Sequence, residues 1–358
     1  EVQEAGAEAA EKYGKPIDDA VLESISRNGV ALKGPTATPV GKGFRSVNVE
    51  IRKRLDLYVN LRPLRSFEGV KSLYQNIDLT IVRENTEGLY IGIEKQVDEG
   101  RAEATKVITK KASDRIVKYA FEYAKEHKDE QVVFLSVGFE TTTPASCLSV
   151  KMAKEAGLTN YALLTANKTM PGAYEMLKDS ADVFLYPGHV NAITGNALNR
   201  KLCEEEGISG IVTGFTASEI LTAFAVLLKK FPEGNPFFVN AYPRVVTEEG
   251  SIPAQKLIKE WMEPCDSQWR GLGMIKNSGL RLRKEAQDFD ARVKFSIPKM
   301  EGRTSPACRC GDVLQGKCRP TDCKVFGKGC TPLHPIGACM VSNEGACSAY
   351  YQYNSRGE

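Results

Sequence analysis

From Gln131 onward, short apolar runs alternate with loops and helix-compatible stretches, and this alternation constrains the fold more than any other feature of the sequence. The runs VVFLSV, YALLT, DVFLY and GIVTGF are predicted strands, each followed by a stretch with helical spacing. Such an alternation predicts an α/β fold with a doubly wound parallel sheet. Ligands of open α/β sheets bind at the carboxyl ends of the strands, so residues 141–143 and His189 are a candidate docking or ligand rim.

The first 125 residues or so are also predicted to mix helices and strands. Helical spacing covers residues 4–13, and residues 30–32 are predicted to form a short strand that ends at Gly34 and Pro35. A further helix follows, with Ser113 or Asp114 as its predicted cap.

Composition and charge exclude several classes of protein. Of 358 residues, 42% are hydrophobic and 26% are charged, which is the balance of a globular chain with a sizeable core. The formal charge of +3 does not indicate binding to nucleic acid or to a membrane surface. The longest apolar stretch, residues 220–228, is far below the roughly 20 residues of a membrane span, and the acidic first residues predict no signal peptide. We therefore expect a cytoplasmic protein.

Cysteine is distributed very unevenly along the chain. Seven of the ten cysteines lie between Cys308 and Cys347, and residues 1–146 contain none. Helical periodicity is lost after about residue 298, where Cys, Gly and Pro dominate. In a cytoplasmic chain such a cluster indicates metal binding or redox chemistry more strongly than structural disulfides or an inert reduced tail. The tail is therefore predicted to be a small irregular domain organised by its thiols.

The spacing of these thiols favours an iron-sulfur cluster over zinc. Four of them fit the pattern Cys-x14-Cys-x6-Cys-x16-Cys, namely Cys308, Cys323, Cys330 and Cys347. Thiolates select zinc, copper(I) or iron-sulfur clusters. Structural zinc usually has close Cys-x2-Cys pairs, which this tail lacks, whereas a cubane takes one thiolate from each of four directions. Cys310 and Cys339 are left over from the pattern and could form a redox pair beside the cluster.

The C-terminal three fifths of the chain resemble the HypD family of hydrogenase maturation factors. The resemblance rests on the strings VGFETTTPA, YPGHVNAITG, NAYPRVV, WRGLGMIKNSGLRLR and CTPLHPIGACMVSNEGACSAYY. It implies a [4Fe-4S] cluster on Cys308, Cys323, Cys330 and Cys347, with Cys310 as an alternative to Cys308. It also implies HypC-like and HypE-like partners and a role in building the Fe(CN)2CO group of [NiFe]-hydrogenases. One departure concerns the family's N-terminal Cys-Gly-Gly-His and Cys-x-x-Cys motifs, because residues 1–130 contain no cysteine.

The N-terminal segment, residues 1–126, resembles isocitrate and isopropylmalate dehydrogenases in the strings LKGPTATPVGKGFRSVNVEIRKRLDLYVNLRP and IVRENTEGLYIGIE. The resemblance implies an alternative function, NAD-dependent decarboxylation of a 2-hydroxy polycarboxylate with magnesium. Tyr90 matches the tyrosine that helps to protonate the enol. The residues that match the family's substrate-binding side chains are Ser46, Asn48, Arg52, Arg62 and Arg83. The family's catalytic lysine, metal-binding aspartates and adenosine-binding loop are not found, so this segment is predicted to be an inactive fragment.

These observations predict a hybrid chain with three parts. Residues 1–126 form a partial dehydrogenase-like α/β segment, residues 127–297 a HypD-like doubly wound domain, and residues 298–358 a small cysteine-rich iron-sulfur domain.

Overall fold

A computed structural model describes residues 1–36, 46–66, 69, 76–98, 101–234, 236–298, 305–341 and 345–353. Within strands, the side chains of residues 89–90, 94, 96–98 and 101–104 lie outside this description. The chain divides into two compact units, Glu1–His127 and Lys128–Glu358, called here the N-terminal and C-terminal units. The further boundary expected at residue 298 stays a prediction.

The N-terminal unit consists of helices and two antiparallel hairpins. Strands β1 and β2 pair from Val59 opposite Glu84 to Arg65 opposite Asp78, and β3 pairs with β4. Its elements are α1 (Ala7–Tyr13), α2 (Asp19–Asn28), α3 (Val47–Arg54), β1 (Val59–Arg65), β2 (Asp78–Glu84), β3 (Gly88–Asp98), β4 (Arg101–Val107) and α4 (Lys110–Glu126).

Two local predictions for this unit are wrong. Residues 30–32 form no strand in the described part of the chain, because Val30 and Leu32 are 76% and 102% exposed and have neither a partner strand nor a core to pack on. Helix α4 begins at Lys110, before the expected caps Ser113 and Asp114. The helix is capped by Thr109, whose side chain accepts a hydrogen bond from the Ala112 amide.

The C-terminal unit alternates strands and helices over most of its length. Its strands are β5 (Val132–Gly138), β6 (Tyr161–Asn167), β7 (Phe184–Pro187), β8 (Gly210–Thr213), β9 (Phe238–Asn240), β10 (Met262–Trp269) and β11 (Gly273–Leu282). Its helices are α5 (Thr143–Glu155), α6 (Pro171–Leu177), α7 (Gly188–Thr194), α8 (Ala197–Glu206), α9 (Ala217–Lys230), α10 (Ile252–Trp261), α11 (Ala291–Lys294), α12 (Cys310–Leu314), α13 (Ala338–Val341) and α14 (Ala346–Tyr353). Short 3-10 turns lie at Lys178–Ser180, Phe231–Glu233, Lys284–Phe289 and Pro320–Asp322. No helix in the described ranges combines the length and the apolar character needed to cross a bilayer.

Parallel strands form the framework of the C-terminal unit, which confirms the predicted α/β class. In the described residues they are divided between two sheets, one pairing β5 with β6 and the other in the order β7-β8-β9. A core of mainly aromatic and aliphatic side chains packs beside the second sheet. Its buried members are Tyr174, Tyr186, Leu202, Ile208, Val212, Tyr242 and Val246.

The antiparallel hairpin of β10 and β11 follows the parallel strands and leads to the cysteine-rich tail. Its register shifts between Cys265 and Ser267, which is the mark of a β-bulge. The connection between the two strands contains Gly271, whose φ of +84° lies in the left-handed region that glycine adopts without a steric penalty.

Strand β5 leaves one of its sides open. Val133, Leu135 and Val137 alternate along the strand and are 37%, 66% and 76% exposed, whereas Ser136 between them is buried. Since successive side chains of a strand point to opposite faces, the three apolar residues share one face. In the described residues β5 pairs only with β6.

Candidate thiol centre

Short helices and tight turns position the cysteines of the tail. Cys310 opens α12, Cys339 lies in α13, Cys347 lies in α14, and Cys323 directly follows the 3-10 turn at Pro320–Asp322. The loop before Cys330 is closed by its own backbone, because the Cys330 amide donates to the Val325 carbonyl at 2.7 Å. These elements are too short to be stable alone, so contacts between them must fix their positions.

Six of the seven tail cysteines line one small cavity, and together they are called here the thiol centre. Apolar side chains, among them Met340 and Phe326, pack around the sulfur atoms. The enclosed space is about 10 Å³, which is the room needed by about one water molecule. The members are Cys308, Cys310, Cys323, Cys330, Cys339 and Cys347. Cys318 is half-buried and does not line the cavity.

Cys310 and Cys339 form the closest pair of thiols in the centre. Their Sγ atoms are 2.7 Å apart, and both residues are buried. The hydrogen bond between them lowers the pKa of Cys310, to which the nearby Arg270 cation also contributes, and it raises the pKa of Cys339. The two thiols therefore titrate as a pair, in which Cys310 loses its proton more readily than Cys339.

The other four thiols of the centre also line the cavity, and each has its own contacts. The Cys308 sulfur lies against Gly337, where an added Cβ would come within 2.3 Å of Sγ, so only glycine leaves room for this thiol. Cys330 Sγ accepts a hydrogen bond from the Ile336 amide at 3.3 Å, and Cys323 Sγ lies 3.7 Å from the Ala307 carbonyl oxygen. Burial, together with neighbouring thiols, raises the pKa of Cys347 to about 11.

The donor set of the thiol centre fits an iron-sulfur cluster better than a single metal ion. Among the described residues, no three or more Cys, His, Asp or Glu side chains are grouped closely enough to hold one ion. Six soft donors converge instead on a buried, mostly apolar space, which suits a multi-iron cluster with one thiolate for each iron. The chemistry of the six thiol donors is what supports this fit.

The thiol centre is anchored to the β10–β11 hairpin through two glycines. A Cβ added to Gly311 would lie 2.7 Å from the Gly271 carbonyl oxygen, and one added to Gly271 would lie 2.9 Å from the Gly311 Cα. The Gln315 side-chain amide donates to the same Gly271 carbonyl at 3.1 Å. Backbone therefore approaches backbone directly where α12 meets the hairpin.

The predicted rim at the ends of the parallel strands is divided between two places. His189, in the first turn of α7 after β7, is exposed and stacks on Phe215 with ring centroids 4.4 Å apart. Thr143, the first residue of α5, is fully buried, and its hydroxyl donates to the Phe139 carbonyl and accepts from the Asn167 amide. Of residues 141–143, only Thr141 and Thr142 are exposed. A functional role for His189 stays a prediction.

A buried polar network beside β5 and β6 was not predicted. Ser136 Oγ lies 2.5 Å from both Ser146 Oγ and Asn167 Oδ1, and Thr165 also bonds to Asn167. The sequence carried a signal for it, since polar residues interrupt the apolar runs VVFLSV and YALLTAN at corresponding positions. The same region holds Glu140, whose Oε1 accepts a hydrogen bond from the Met170 amide.

The predicted substrate residues of the N-terminal unit lie on or beside four different elements. Ser46 precedes α3, which carries Asn48 and Arg52, and Tyr90 lies in β3 with its side chain outside the described part. Arg62 of β1 is opposite Ile81, while Arg83 of β2 is opposite Asn60, so the two arginines are diagonal neighbours on one face of the hairpin. Their role in binding a polycarboxylate remains a prediction.

Comparison with known proteins identifies the class of the C-terminal unit. A family model described as HypD, "Hydrogenase formation hypA family", matches residues 95–354, and one described as "Isocitrate/isopropylmalate dehydrogenase" matches residues 1–138. The hydrogenase maturation factor HypD of Rhodobacter capsulatus is 37% identical over 243 residues, and that of Cupriavidus necator is 35% identical over 245 residues. Each alignment covers 65% of this chain and 64% or 65% of the relative, so the chain spans just under two thirds of their length.

Among solved structures, an isocitrate dehydrogenase from Methylococcus capsulatus is 29% identical, with 72% of this chain and 75% of that chain covered. The TM-score of 0.38 is too low for that superposition to bear on the fold. The α/β unit with its thiol-rich tail thus defines a protein of the hydrogenase-formation class. Since the first family model covers more than half of the chain, the chain belongs to the HypD family. Residues 1–138 are similar to isocitrate and isopropylmalate dehydrogenases.

Proposed function

We propose that this chain acts as a HypD-like maturation factor of [NiFe]-hydrogenases, in which the thiol centre holds a [4Fe-4S] cluster beside a redox-active cysteine pair. The observation that carries the proposal is the convergence of six thiols, five of them buried and Cys308 half-buried, on one cavity, with Cys310 and Cys339 only 2.7 Å apart. Membership of the HypD family supports the same assignment.

Cys308, Cys323, Cys330 and Cys347 are the proposed ligands of the cluster. The choice between Cys308 and Cys310 is guided by contacts, because the Cys310 sulfur is hydrogen-bonded to Cys339, whereas Cys308 forms no such thiol pair among the described residues. When bound, a [4Fe-4S] cluster supplies one-electron transfer at a buried position.

The proposed role of Cys310 and Cys339 is to form and break a disulfide. Oxidation of the two thiols makes one S–S bond and releases two electrons and two protons, and reduction reverses each change. The lowered pKa of Cys310 favours its thiolate, which is the reactive form of a thiol. Burial of both residues protects the pair from unrelated reactants.

The proposed setting is the cytoplasm, with HypC-like and HypE-like proteins as partners in building the Fe(CN)2CO group. The relatives are longer than the matched region, and residues 1–130 of this chain lack cysteine. We therefore assign the electron-transfer chemistry, and not the step that carries the iron group, to the thiols of residues 308–347.

The dehydrogenase alternative is weaker. The dehydrogenase family model matches residues 1–138, which are less than half of the chain. The lysine, the aspartates and the cofactor loop that such enzymes need were not found in the sequence. We expect no reduction of NAD with isocitrate and magnesium.

Anaerobic purification followed by iron and sulfide analysis tests the proposed function. We expect about four iron and four sulfide per chain and the broad visible absorption of a cluster. Cys323→Ser should abolish the iron content, because it removes a proposed ligand. Cys339→Ser should retain the iron and lose the disulfide, as judged by mass spectrometry after mild oxidation.

Cys318→Ser is the matched control, since Cys318 belongs to the same tail but does not line the cavity. It should keep both the iron and the disulfide. A colourless protein with one zinc per chain would rule out the cluster, and equal iron loss in Cys318→Ser and Cys323→Ser would rule out the proposed ligand set.

A further inference from the structure

A cleft of about 230 Å³ opens beside the thiol centre. It is smaller than the 300–1,000 Å³ typical of pockets for drug-sized ligands, so it suits a molecule of few heavy atoms. Arg270 and Gly271 of the hairpin connection form one wall, and the start of α12 with Gly337 forms the other.

Two of the cysteines line both the cleft and the buried cavity. Cys308 and Cys310 belong to both linings, whereas Cys339 lines only the cavity. Gly337 also belongs to both, and any side chain there would collide with Cys308 Sγ. A small molecule in the cleft would therefore approach the redox pair from the side of Cys310.

The described charges of the cleft favour an anion. Arg309 is paired with Asp312 at 2.9 Å, so these two charges offset each other. Arg270 is exposed, and no carboxylate of the described residues lies within ion-pair distance of it. Its planar guanidinium can bind a carboxylate through two hydrogen bonds, and it stands at the same cleft as Cys310.

From this arrangement we infer that the cleft is a docking site for a low-molecular-weight thiol that carries a carboxylate, held by Arg270 so that its sulfur reaches Cys310. The inference rests on the proposed Cys310–Cys339 disulfide and names the class of molecule that reduces it.

The reaction is a pair of thiol–disulfide exchanges. The thiolate of the docked molecule attacks Cys310 Sγ, a mixed disulfide forms, the Cys310–Cys339 bond breaks, and Cys339 leaves as a thiolate that takes up a proton. A second molecule of the same thiol attacks the outer sulfur of the mixed disulfide and leaves Cys310 as a thiolate. Two small thiols are oxidised to one small disulfide, and the protein disulfide gains the two electrons.

The test compares three small thiols of different charge on the full-length protein after oxidation with diamide. The probes are 3-mercaptopropionate, 2-mercaptoethanol and 2-aminoethanethiol, each used at the same thiolate concentration. Each rate is divided by the rate of the same thiol with a small model disulfide, because thiolate nucleophilicity rises with the pKa of the thiol. Mass spectrometry of alkylated peptides first establishes the Cys310–Cys339 disulfide and then follows its reduction. In the wild type the anionic thiol should react fastest, and its advantage should shrink at high salt.

Arg270→Gln should reduce the anion-over-cation rate ratio about tenfold, the effect of losing roughly 1.4 kcal/mol of binding. Arg270→Lys should retain most of the ratio, because it keeps the charge. Arg200→Gln is the matched control, since Arg200 pairs with Glu248 and does not line the cleft. It should leave the ratio unchanged.

Two results would overturn the inference, and they differ in what else they overturn. If Arg270→Gln slows all three thiols equally, Arg270 acts on the disulfide and binds no carboxylate, while the redox pair stands. If no Cys310–Cys339 disulfide forms on oxidation, both the redox pair and its proposed reductant are wrong.

Discussion

Glu140 carries a carboxyl group that folding removes from water. The residue is 5% exposed, Oε1 accepts one hydrogen bond from the Met170 amide at 2.8 Å, and Oε2 has no partner among the described residues. Burial raises the pKa of this carboxyl above its ordinary value. A folded-state pKa above the unfolded one means that the protonated form is favoured by folding. That stabilisation is complete below the ordinary carboxyl pKa and is lost as the pH rises through the raised value.

Glu140→Gln should therefore raise the free energy of unfolding at neutral pH, with a gain that shrinks as the pH falls. Glutamine keeps an acceptor for the Met170 amide and carries no charge. The difference between the two proteins should change by at most about 1.4 kcal/mol per pH unit. Urea unfolding followed by circular dichroism from pH 4.5 to 7.5 measures it.

Glu248→Gln provides a control of opposite sign, since the hydrogen bond from Arg200 lowers the pKa of Glu248. Its stabilisation is present above the ordinary carboxyl pKa and is lost as the pH falls. Parallel pH profiles for the wild type and Glu140→Gln would show that Glu140 does not ionise in a buried state.

At the thiol centre, the sequence predicted which cysteines come together but not the contacts that each of them makes. The spacing of the cysteines led to the expectation of four ligands and a separate Cys310–Cys339 pair, and the structure places all six residues around one cavity. The 2.7 Å contact, the seat of Cys308 on Gly337 and the cleft at Arg270 could not be predicted, because they depend on how non-periodic loops pack. Periodicity gives no information about such loops.

Backbone approaches backbone directly where helix α12 packs on the β10–β11 hairpin. Neither Gly271 nor Gly311 has space for a methyl group, so the elements approach more closely than side chains would permit. This contact places Arg270 of the hairpin beside Cys310 of the helix. The distance between the elements thus sets both the anchoring of the tail and the width of the cleft.

Gly311→Ala should push α12 away from the hairpin and reduce the free energy of unfolding by about 1–3 kcal/mol, the usual cost of overpacking. It should also increase the rate at which Cys308 and Cys310 react with a thiol reagent. Chemical denaturation and timed alkylation with mass spectrometry measure the two effects.

Gly329→Ala is the comparison, because an added Cβ there meets only the Ile336 side chain at an ordinary 3.7 Å. It should change neither quantity. If both variants match the wild type, the hairpin does not hold α12 in place.

At the level of elements, prediction succeeded where hydrophobic pattern and neighbouring strands agree. The runs that became β5, β6, β7 and β8 were recognised from their apolar character, which β6 and β8 need because they are largely buried. The expected strand at residues 30–32 has a similar local pattern but pairs with no strand in the described ranges, so propensity alone did not produce it. The start of α4 was missed because Thr109 competed with Ser113 and Asp114 as a cap.

The whole molecule consists of two compact units that match different families. The unit boundary at His127 and Lys128 lies inside residues 95–138, which both family models match. Each unit has buried apolar residues of its own, for example Val47 and Ala124 in the first and Tyr186 and Ile211 in the second. Division at this point should therefore leave each hydrophobic core intact.

Residues 128–358 expressed alone should fold and keep the thiol centre. Their thermal unfolding should be cooperative, and iron per chain should equal that of the full-length protein. Calorimetry and iron analysis check the two statements, with residues 1–127 as the complementary fragment. Loss of cooperative unfolding in residues 128–358 would mean that the C-terminal unit depends on the N-terminal one.

The open side of β5 has a practical consequence for the protein in solution. Its three outward apolar side chains and its unpaired edge, within the described residues, are what an incoming extended chain needs in order to add to a sheet. Unless another polypeptide covers it, this strand is where self-association would begin as concentration rises.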